Sequence, residues 1–178
     1  DFIYLCYDNE GYGNTGQQTS PETPHGARTA TDAVAAGFPG SKKDLFAVWA
    51  ANRPAYVATV IGSEALDLAR KIEKAKELEG PRMIISLAPC PPGWGYDPKE
   101  TVEIGRLAVK TGIWPLKEYV DGKIRHTINP GSRRPVEDYL SRQRRYAHLF
   151  EPERNEKVLA EIQQGVDDYW AAVDAEES

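Results

Sequence analysis

The stretch FIYLCYDNEGYGNTG, residues 2–16, decides how the rest of the chain is read. Its first part, residues 2–7, is an unbroken apolar run rich in aromatic side chains and predicts a buried strand. Its second part, residues 8–16, holds an aspartate, a glutamate, two asparagines, a threonine and three glycines in nine positions. A strand that opens directly into such a loop is the arrangement at which open α/β sheets bind ligands, beyond the carboxyl ends of their strands. A plain surface turn draws on the same residue types. What the loop means therefore depends on what the rest of the chain builds beside it.

Two further β-branched runs, residues 55–61 (AYVATVI) and 82–88 (RMIISLA), read as buried parallel strands. Between them Ser63 is a candidate N-cap for a helix with Ala65, Leu66, Ala69, Ile72, Ala75 and Leu78 on one face, stopped by Gly80-Pro81. Residues 43–52 have helical spacing with Leu45, Val48, Trp49 and Asn52 on the face, and the alanine-rich residues 26–36 are expected to be partly helical. Asp97-Pro98-Lys99-Glu100 has the form of a capped helix start with a capping-box glutamate, and Gly112 closes that helix. Asp121-Gly122, between residues 113–120 and 123–128, is a hairpin signal. Helices are expected over residues 136–149 and 153–173, the second with Val158, Leu159, Ile162, Val166, Tyr169, Trp170 and Val173 in one stripe.

This order predicts an α/β fold: an open, mostly parallel sheet with a C-terminal hairpin and a helical tail. Residues 1–150 form the sheet domain and residues 151–178 the tail. The third strand runs into Pro89-Cys90-Pro91-Pro92-Gly93-Trp94-Gly95, a stiff loop expected to face the same crevice as residues 8–16.

Composition narrows the partners. The net charge of −5 gives no basic field for nucleic acid, and no apolar run is long enough to span a membrane. The N-terminus lacks the pattern of a secretory signal. The two cysteines, Cys6 and Cys90, are too few for a disulfide framework and suit a reducing cytoplasm. The chain starts on a strand and without methionine, so a part of a longer or divided polypeptide is expected.

In the first loop, Asn9 offers an amide oxygen and Gly11 and Gly13 bare carbonyls, which are the hard ligands Mg²⁺ takes alongside phosphate oxygens. Asn14 and Thr15 add donors suited to phosphate. Asp8 and Glu10 flank Asn9 on the opposite side of an extended chain, so no carboxylate pair forms and a metal site from this loop alone is incomplete. A polar turn with Asx-type bonds stays open as a reading. Cys90, held between prolines, is placed as a ligand or a reactive thiol rather than as packing. A nucleophilic thiol needs a histidine base, and nothing in the sequence selects among His25, His126 and His148. An iron–sulfur cluster needs further thiolates from elsewhere.

Taken in order, YDNEGYGNTGQQTSPETP, KKDL, YVATV, LAPCPPGW, AVKTGIWPL and VEDYLSRQRRYAHL resemble one family across residues 1 to about 150. It is the thiamine-diphosphate-binding (β) subunit of the 2-oxoacid:ferredoxin oxidoreductases, the pyruvate synthase type. The resemblance implies the thiamine-diphosphate-binding fold and roles for particular residues. Asn9 would bind Mg²⁺ through its side chain and Gly11 through its carbonyl. Tyr12, Gly13, Asn14 and Thr15 would line the diphosphate and the reacting carbons, Asn14 as the catalytic group. Cys90 would be one ligand of a [4Fe-4S] cluster. Neither Asp8 nor Glu10 is implied as a catalytic acid, since that carboxylate belongs to a partner subunit in the family.

The family's GDG aspartate and its CxxC and further cysteine are not in this sequence, so the resemblance is to the C-terminal half of such a subunit. Another chain or segment is expected to supply them. The implied activity is oxidative decarboxylation of a 2-oxoacid, with coenzyme A and ferredoxin as partners. Thr15-Gly16-Gln17-Gln18 stands where pyruvate enzymes often carry a second glycine, which leaves the 2-oxoacid open. The alternatives are a non-catalytic scaffold chain of such a complex and a thiamine-diphosphate decarboxylase without redox centres.

Overall fold

The computed structural model describes residues 1–31 and 39–176. Five strands form one sheet: β1 (Phe2–Asp8), β2 (Tyr56–Ile61), β3 (Pro81–Leu87), β4 (Leu116–Val120) and β5 (Lys123–Ile128), in the order β1-β3-β2-β4-β5. β1 and β2 both pair in parallel with β3, whereas β4 runs antiparallel to β2 and β5 antiparallel to β4. The expected parallel sheet with a terminal hairpin is what forms. At the hairpin tip Asp121 and Gly122 both have positive φ, 52° and 77°, as a two-residue turn of this hand requires.

β2 is buried along its whole length. β1, expected to be buried, is not. It lies at the sheet edge, and Phe2, Tyr4 and Tyr7 are 49%, 50% and 72% exposed. The residue types are those of a covered strand, but Trp49, edge-on to Tyr4 with ring centres 5.5 Å apart, leaves most of it open.

Among the described residues there are six α-helices: α1 (Leu45–Ala50), α2 (Ala65–Glu77), α3 (Pro91–Trp94), α4 (Thr101–Lys110), α5 (Glu137–Leu140) and α6 (Glu156–Glu176). α1 is capped by Asp44, whose side chain accepts from Ala47 N at 2.9 Å. Its buried residue is Phe46, whereas Val48, expected on the inner face, is exposed. α2 departs from expectation in part. Ala75 is buried and Ile72 and Leu78 pack against the core as expected, but Leu66 is 76% exposed and Asp67 and Lys71 are buried. Lys71 Nζ donates to Asp67 Oδ2 (2.7 Å) and to the Thr59 carbonyl (2.8 Å), so a charged pair occupies a face that periodicity assigns to apolar residues. Ser63 is not the cap of α2. Its hydroxyl lies against Gly105 of α4, where an added Cβ would come within 2.7 Å.

A 3-10 turn at Pro98–Glu100 leads into α4, with Asp97 accepting from Lys99 N at 3.1 Å, while Glu100 makes no capping bond. The helix expected over residues 136–149 is broken into α5 and a 3-10 segment, Arg144–Leu149. Gln143 is extended between them, which lets Arg144 N donate to the Gly95 carbonyl at 3.1 Å. Residues 27–31 are not helical, and the rest of the alanine-rich segment lies outside the described residues. No helix among the described residues is long and apolar enough to cross a membrane.

The main core gathers Phe46, Val57, Ile61, Ile104, Leu107, Leu149 and Leu159 on one side of the sheet. A smaller cluster under α2, around Tyr56, Val60 and Ile84, covers the other side. α6 buries Val158, Leu159, Trp170 and Val173 along the expected stripe. Trp170 Nε1 donates to the Gly112 carbonyl at 3.0 Å, and Gly112 has φ 79°. A Cβ there would overlap the Trp170 indole nitrogen and sit in left-handed backbone. Gly112→Ala is therefore expected to destabilise the fold by roughly 3 kcal/mol, from backbone strain and overpacking together. Urea unfolding followed by tryptophan fluorescence checks this, and an unchanged midpoint would contradict it.

Candidate functional site

Parallel pairing brings the two loops together. Asp8, the last residue of β1, pairs with Leu87, the last residue of β3, and Ala88 N donates to the Asp8 carbonyl at 2.8 Å. Both loops thus leave the sheet side by side, as expected. Trp94, fully buried, then ties them: its Nε1 donates to the Asn9 carbonyl at 2.9 Å.

The first loop turns by two successive Asx bonds. Asp8 Oδ1 accepts from Glu10 N at 2.9 Å and Asn9 Oδ1 from Gly11 N at 3.3 Å. Glu10 takes φ 61°, an uncommon state for a residue other than glycine. Tyr12 and Gln18 exchange backbone hydrogen bonds of 2.9 and 3.1 Å, which close residues 13–17 into a protruding tip. Tyr12, Asn14 and Thr15 are exposed there, the Thr15 hydroxyl donating to Gln18.

Under this tip lies a buried charge network. Lys42 Nζ reaches Asp8 Oδ2 at 2.6 Å and Glu10 Oε1 at 2.8 Å. Arg145 Nη2 meets Glu10 Oε2 at 2.6 Å, its Nε donates to Gln143 at 2.8 Å, and its guanidinium lies 3.9 Å from the centre of a Trp94 ring. Burial works against ionising Glu10, yet Lys42 and Arg145 hold its carboxyl below the usual range. At Asp8 burial outweighs Lys42 and pushes the carboxyl up. Both carboxylates are buried on Lys42, and it is the left-handed turn at Glu10, not strand alternation, that sets Glu10 beside Asp8 there.

In the second loop Cys90, half-buried and free, stands just before α3. His25 is engaged with Glu161 (2.9 Å) and His126 with Tyr169 (2.8 Å). His148 borders a surface depression with Arg28 and Pro152. None of these contacts pairs a histidine with the thiol. No three metal-ligating His, Cys, Asp or Glu side chains gather among the described residues.

Gln17 is a site residue that the sequence reading missed. It has φ 63°, and its side chain fills the space that Cβ atoms on Gly11 and Gly93 would occupy. Cys90 Sγ lies 3.1 Å from the same Cβ position on Gly93. Gln17 Oε1 is buried without a hydrogen-bond partner, an acceptor left open between the loops. Its only signal in the sequence is the departure at Gln17-Gln18. Lys42, Glu22 and Arg145 were missed too, because charges far apart in sequence carry no periodicity.

Residues 1–86 match the family model described as thiamine pyrophosphate enzyme, C-terminal TPP binding domain. The match spans 86 of the 178 residues and likens that part, from β1 to β3, to a thiamine-pyrophosphate-binding α/β domain. Curated relatives carry the match along most of the chain. Pyruvate synthase subunit PorB of Methanocaldococcus jannaschii is 46% identical over 166 residues, covering 90% of this chain and 56% of the relative. PorB of Thermotoga maritima is 39% identical over 171 residues, 94% of this chain and 53% of the relative. Ketoisovalerate oxidoreductase subunit VorB of Pyrococcus abyssi is 38% identical over 160 residues, 84% and 50%. A solved 2-oxoglutarate:ferredoxin oxidoreductase from Magnetococcus marinus, with 2-oxoglutarate, coenzyme A and succinyl-CoA bound, aligns at 26% identity and TM-score 0.47 over 51% of this chain and 31% of that chain. Along most of its length the chain is thus similar to the β subunits of the 2-oxoacid:ferredoxin oxidoreductases. It spans about half the length of the curated relatives it matches.

Two predictions follow from the charge network. Arg145→Leu leaves Glu10 buried with one cation fewer and is expected to cost about 3 kcal/mol in urea unfolding. Glu22, 3.9 Å from Lys42, is pushed by burial from 4.5 up to about 7, against the pull of Lys42. Between those two values the folded chain keeps a proton that the unfolded chain has lost, so this group makes stability fall as pH rises through the window. Glu22→Gln is expected to match the parent below pH 4.5 and to gain on it up to and beyond pH 7. Denaturation midpoints measured across that range would refute this if the two curves stay parallel.

Proposed function

We propose that this chain supplies half of the Mg²⁺–thiamine diphosphate site of a 2-oxoacid:ferredoxin oxidoreductase, together with one thiolate for an adjacent [4Fe-4S] cluster. The observation that carries the proposal is the hydrogen bond from Trp94 to the Asn9 carbonyl. It fixes the loop of oxygen donors against the loop that holds Cys90.

The donor set suits the groups. The Asn9 amide oxygen and the Gly11 carbonyl are hard ligands for Mg²⁺. Gly13 leaves room for a close approach of the backbone, since a Cβ there would meet Asn9 Nδ2 at 2.7 Å. Asn14, with Tyr12 beside it, donates toward a diphosphate from the exposed tip, joined by Thr15 once its hydroxyl exchanges Gln18 for the phosphate, and Asn14 is the residue we place nearest the reacting carbons. One thiolate cannot hold a cluster alone, so the other ligands come from a chain or segment carrying the CxxC and GDG motifs. The exposed apolar side chains of β1 are the surface on which we place that partner.

When bound, thiamine diphosphate supplies an electron sink for decarboxylating a 2-oxoacid. This chain's residues position it. Lys42 and Arg145 neutralise Asp8 and Glu10 and keep them out of proton transfer, and the tip donors orient the diphosphate. The overall reaction releases carbon dioxide, passes electrons to ferredoxin and gives the acyl group to coenzyme A. Residues 1–150 serve as the binding domain with residues 151–178 as a helical tail, in a cytoplasm that keeps Cys6 and Cys90 reduced.

In the intact assembly, Asn9→Ala is expected to weaken Mg²⁺-dependent thiamine diphosphate binding about tenfold or more in calorimetry, by analogy with the loss of metal-site partners. Cys90→Ser is expected to alter one iron–sulfur EPR signal. An anaerobic assembly without any such signal would overturn the cluster role and favour a decarboxylase without redox centres. Unchanged turnover with both variants would favour a scaffold chain.

A further inference from the structure

On the inner side of the charge network a cavity of about 600 Å³ opens between the sheet, α1 and α6. Its described lining includes Phe46, Trp114, Tyr169, Lys117 and Glu22, and none of Asn9, Gly11, Gly13, Gln17 or Cys90. Lys117, on β4, is only 8% exposed. Its ammonium lies 4.6 Å from the centre of the Phe46 ring and 5.1 Å from that of Tyr169, and no acceptor bonds it among the described residues. The other inward lysines differ: Lys71 and Lys42 each hold a carboxylate within 2.8 Å. An ammonium has three donors, and ring faces replace none of the hydrogen bonds lost with water. Burial accordingly pulls Lys117 below the usual lysine range, with Asp44 the charge that opposes the shift.

Glu22 borders the same cavity. Glu22 Oε1 is buried without a hydrogen-bond partner, and near neutral pH its carboxyl is partly protonated, a donor as well as an acceptor. The walls are aromatic and aliphatic, with Phe46, Trp114, Ile162 and Val166 among them. We propose that this cavity binds a small organic monocarboxylate with an aromatic or branched apolar body, its carboxylate on Lys117 Nζ and its body against Phe46 and Trp114. Charge selects a monoanion. Asp8, Glu10, Glu22, Asp44 and Glu161 border the cavity, and Lys42 is already committed to two of them. A phosphate dianion would face that field with one buried cation, Lys117, since the other uncommitted lysine among the described lining, Lys43, is exposed to solvent.

The test is calorimetric titration of the intact assembly with phenylacetate, and with 2-phenylethanol as the neutral match. Phenylacetate is expected to saturate one site per copy of this chain, and Lys117→Met is expected to weaken it at least tenfold. 2-Phenylethanol is expected to bind more weakly than phenylacetate to the parent and equally to both proteins. No saturable binding, equal affinity for the alcohol, or an unchanged affinity in Lys117→Met would overturn the proposal. Should Lys117→Met fail to fold, Gly165→Leu takes its place. Gly165 borders the cavity on α6, a Cβ there meets open space, and leucine is the better helix former. The leucine is expected to obstruct the cavity and weaken phenylacetate binding, and undiminished binding would count against the proposal.

Discussion

Glu10 is held between two cations, and the geometry of the candidate site depends on that clamp. Lys42 comes from the segment before α1 and Arg145 from the 3-10 segment after α5, so the contact gathers three distant parts of the chain at one carboxylate. The clamp also explains the left-handed backbone at Glu10, a state that persists where surrounding structure over-determines it. With residues 8 and 10 fixed inward, Asn9 has one direction left for its side chain. Its carbonyl meanwhile is taken by Trp94, on which Arg145 stacks. One guanidinium thus sets the first loop through Glu10 and the second through Trp94.

The rigid and adaptable parts of the site are arranged in layers. The inner layer is charged and closely bonded, with Glu10 and Arg145 buried at its centre, while Tyr12, Asn14 and Thr15 stand exposed on a tip closed by the Tyr12–Gln18 pairing. A binding group mounted on a fixed base loses little orientational freedom when its ligand arrives. Gln17 sits at the junction, touching the space of both loops, with one acceptor open.

Much of the fold was legible because its signals are local. The runs at residues 55–61 and 82–88, the Asp121-Gly122 turn and the stripe on α6 each declare themselves within a short window, and the pairing of parallel strands then places both loops. The donors of the first loop and Cys90 were legible as residue types, from loop chemistry and from the ordered motifs. What was not legible is non-local. The exposure of β1 follows from strand order, which its own residues do not encode. α2 turns Asp67 and Lys71 inward because Thr59, on another element, offers a carbonyl. The break at Gln143 looks like uninterrupted helix until Gly95 is seen beside it, and it is this break that delivers Arg145 to Glu10.

β1 pairs on one side only, and its apolar side chains face solvent on both surfaces of the sheet. An open strand edge of this composition is a template for pairing with any other extended chain, including a second copy of itself. Its polypeptide is therefore safest when its rightful neighbour is already at hand during synthesis. Whatever segment lies over β1 does two things at once, completing the sheet and removing a surface on which copies of the molecule could pair.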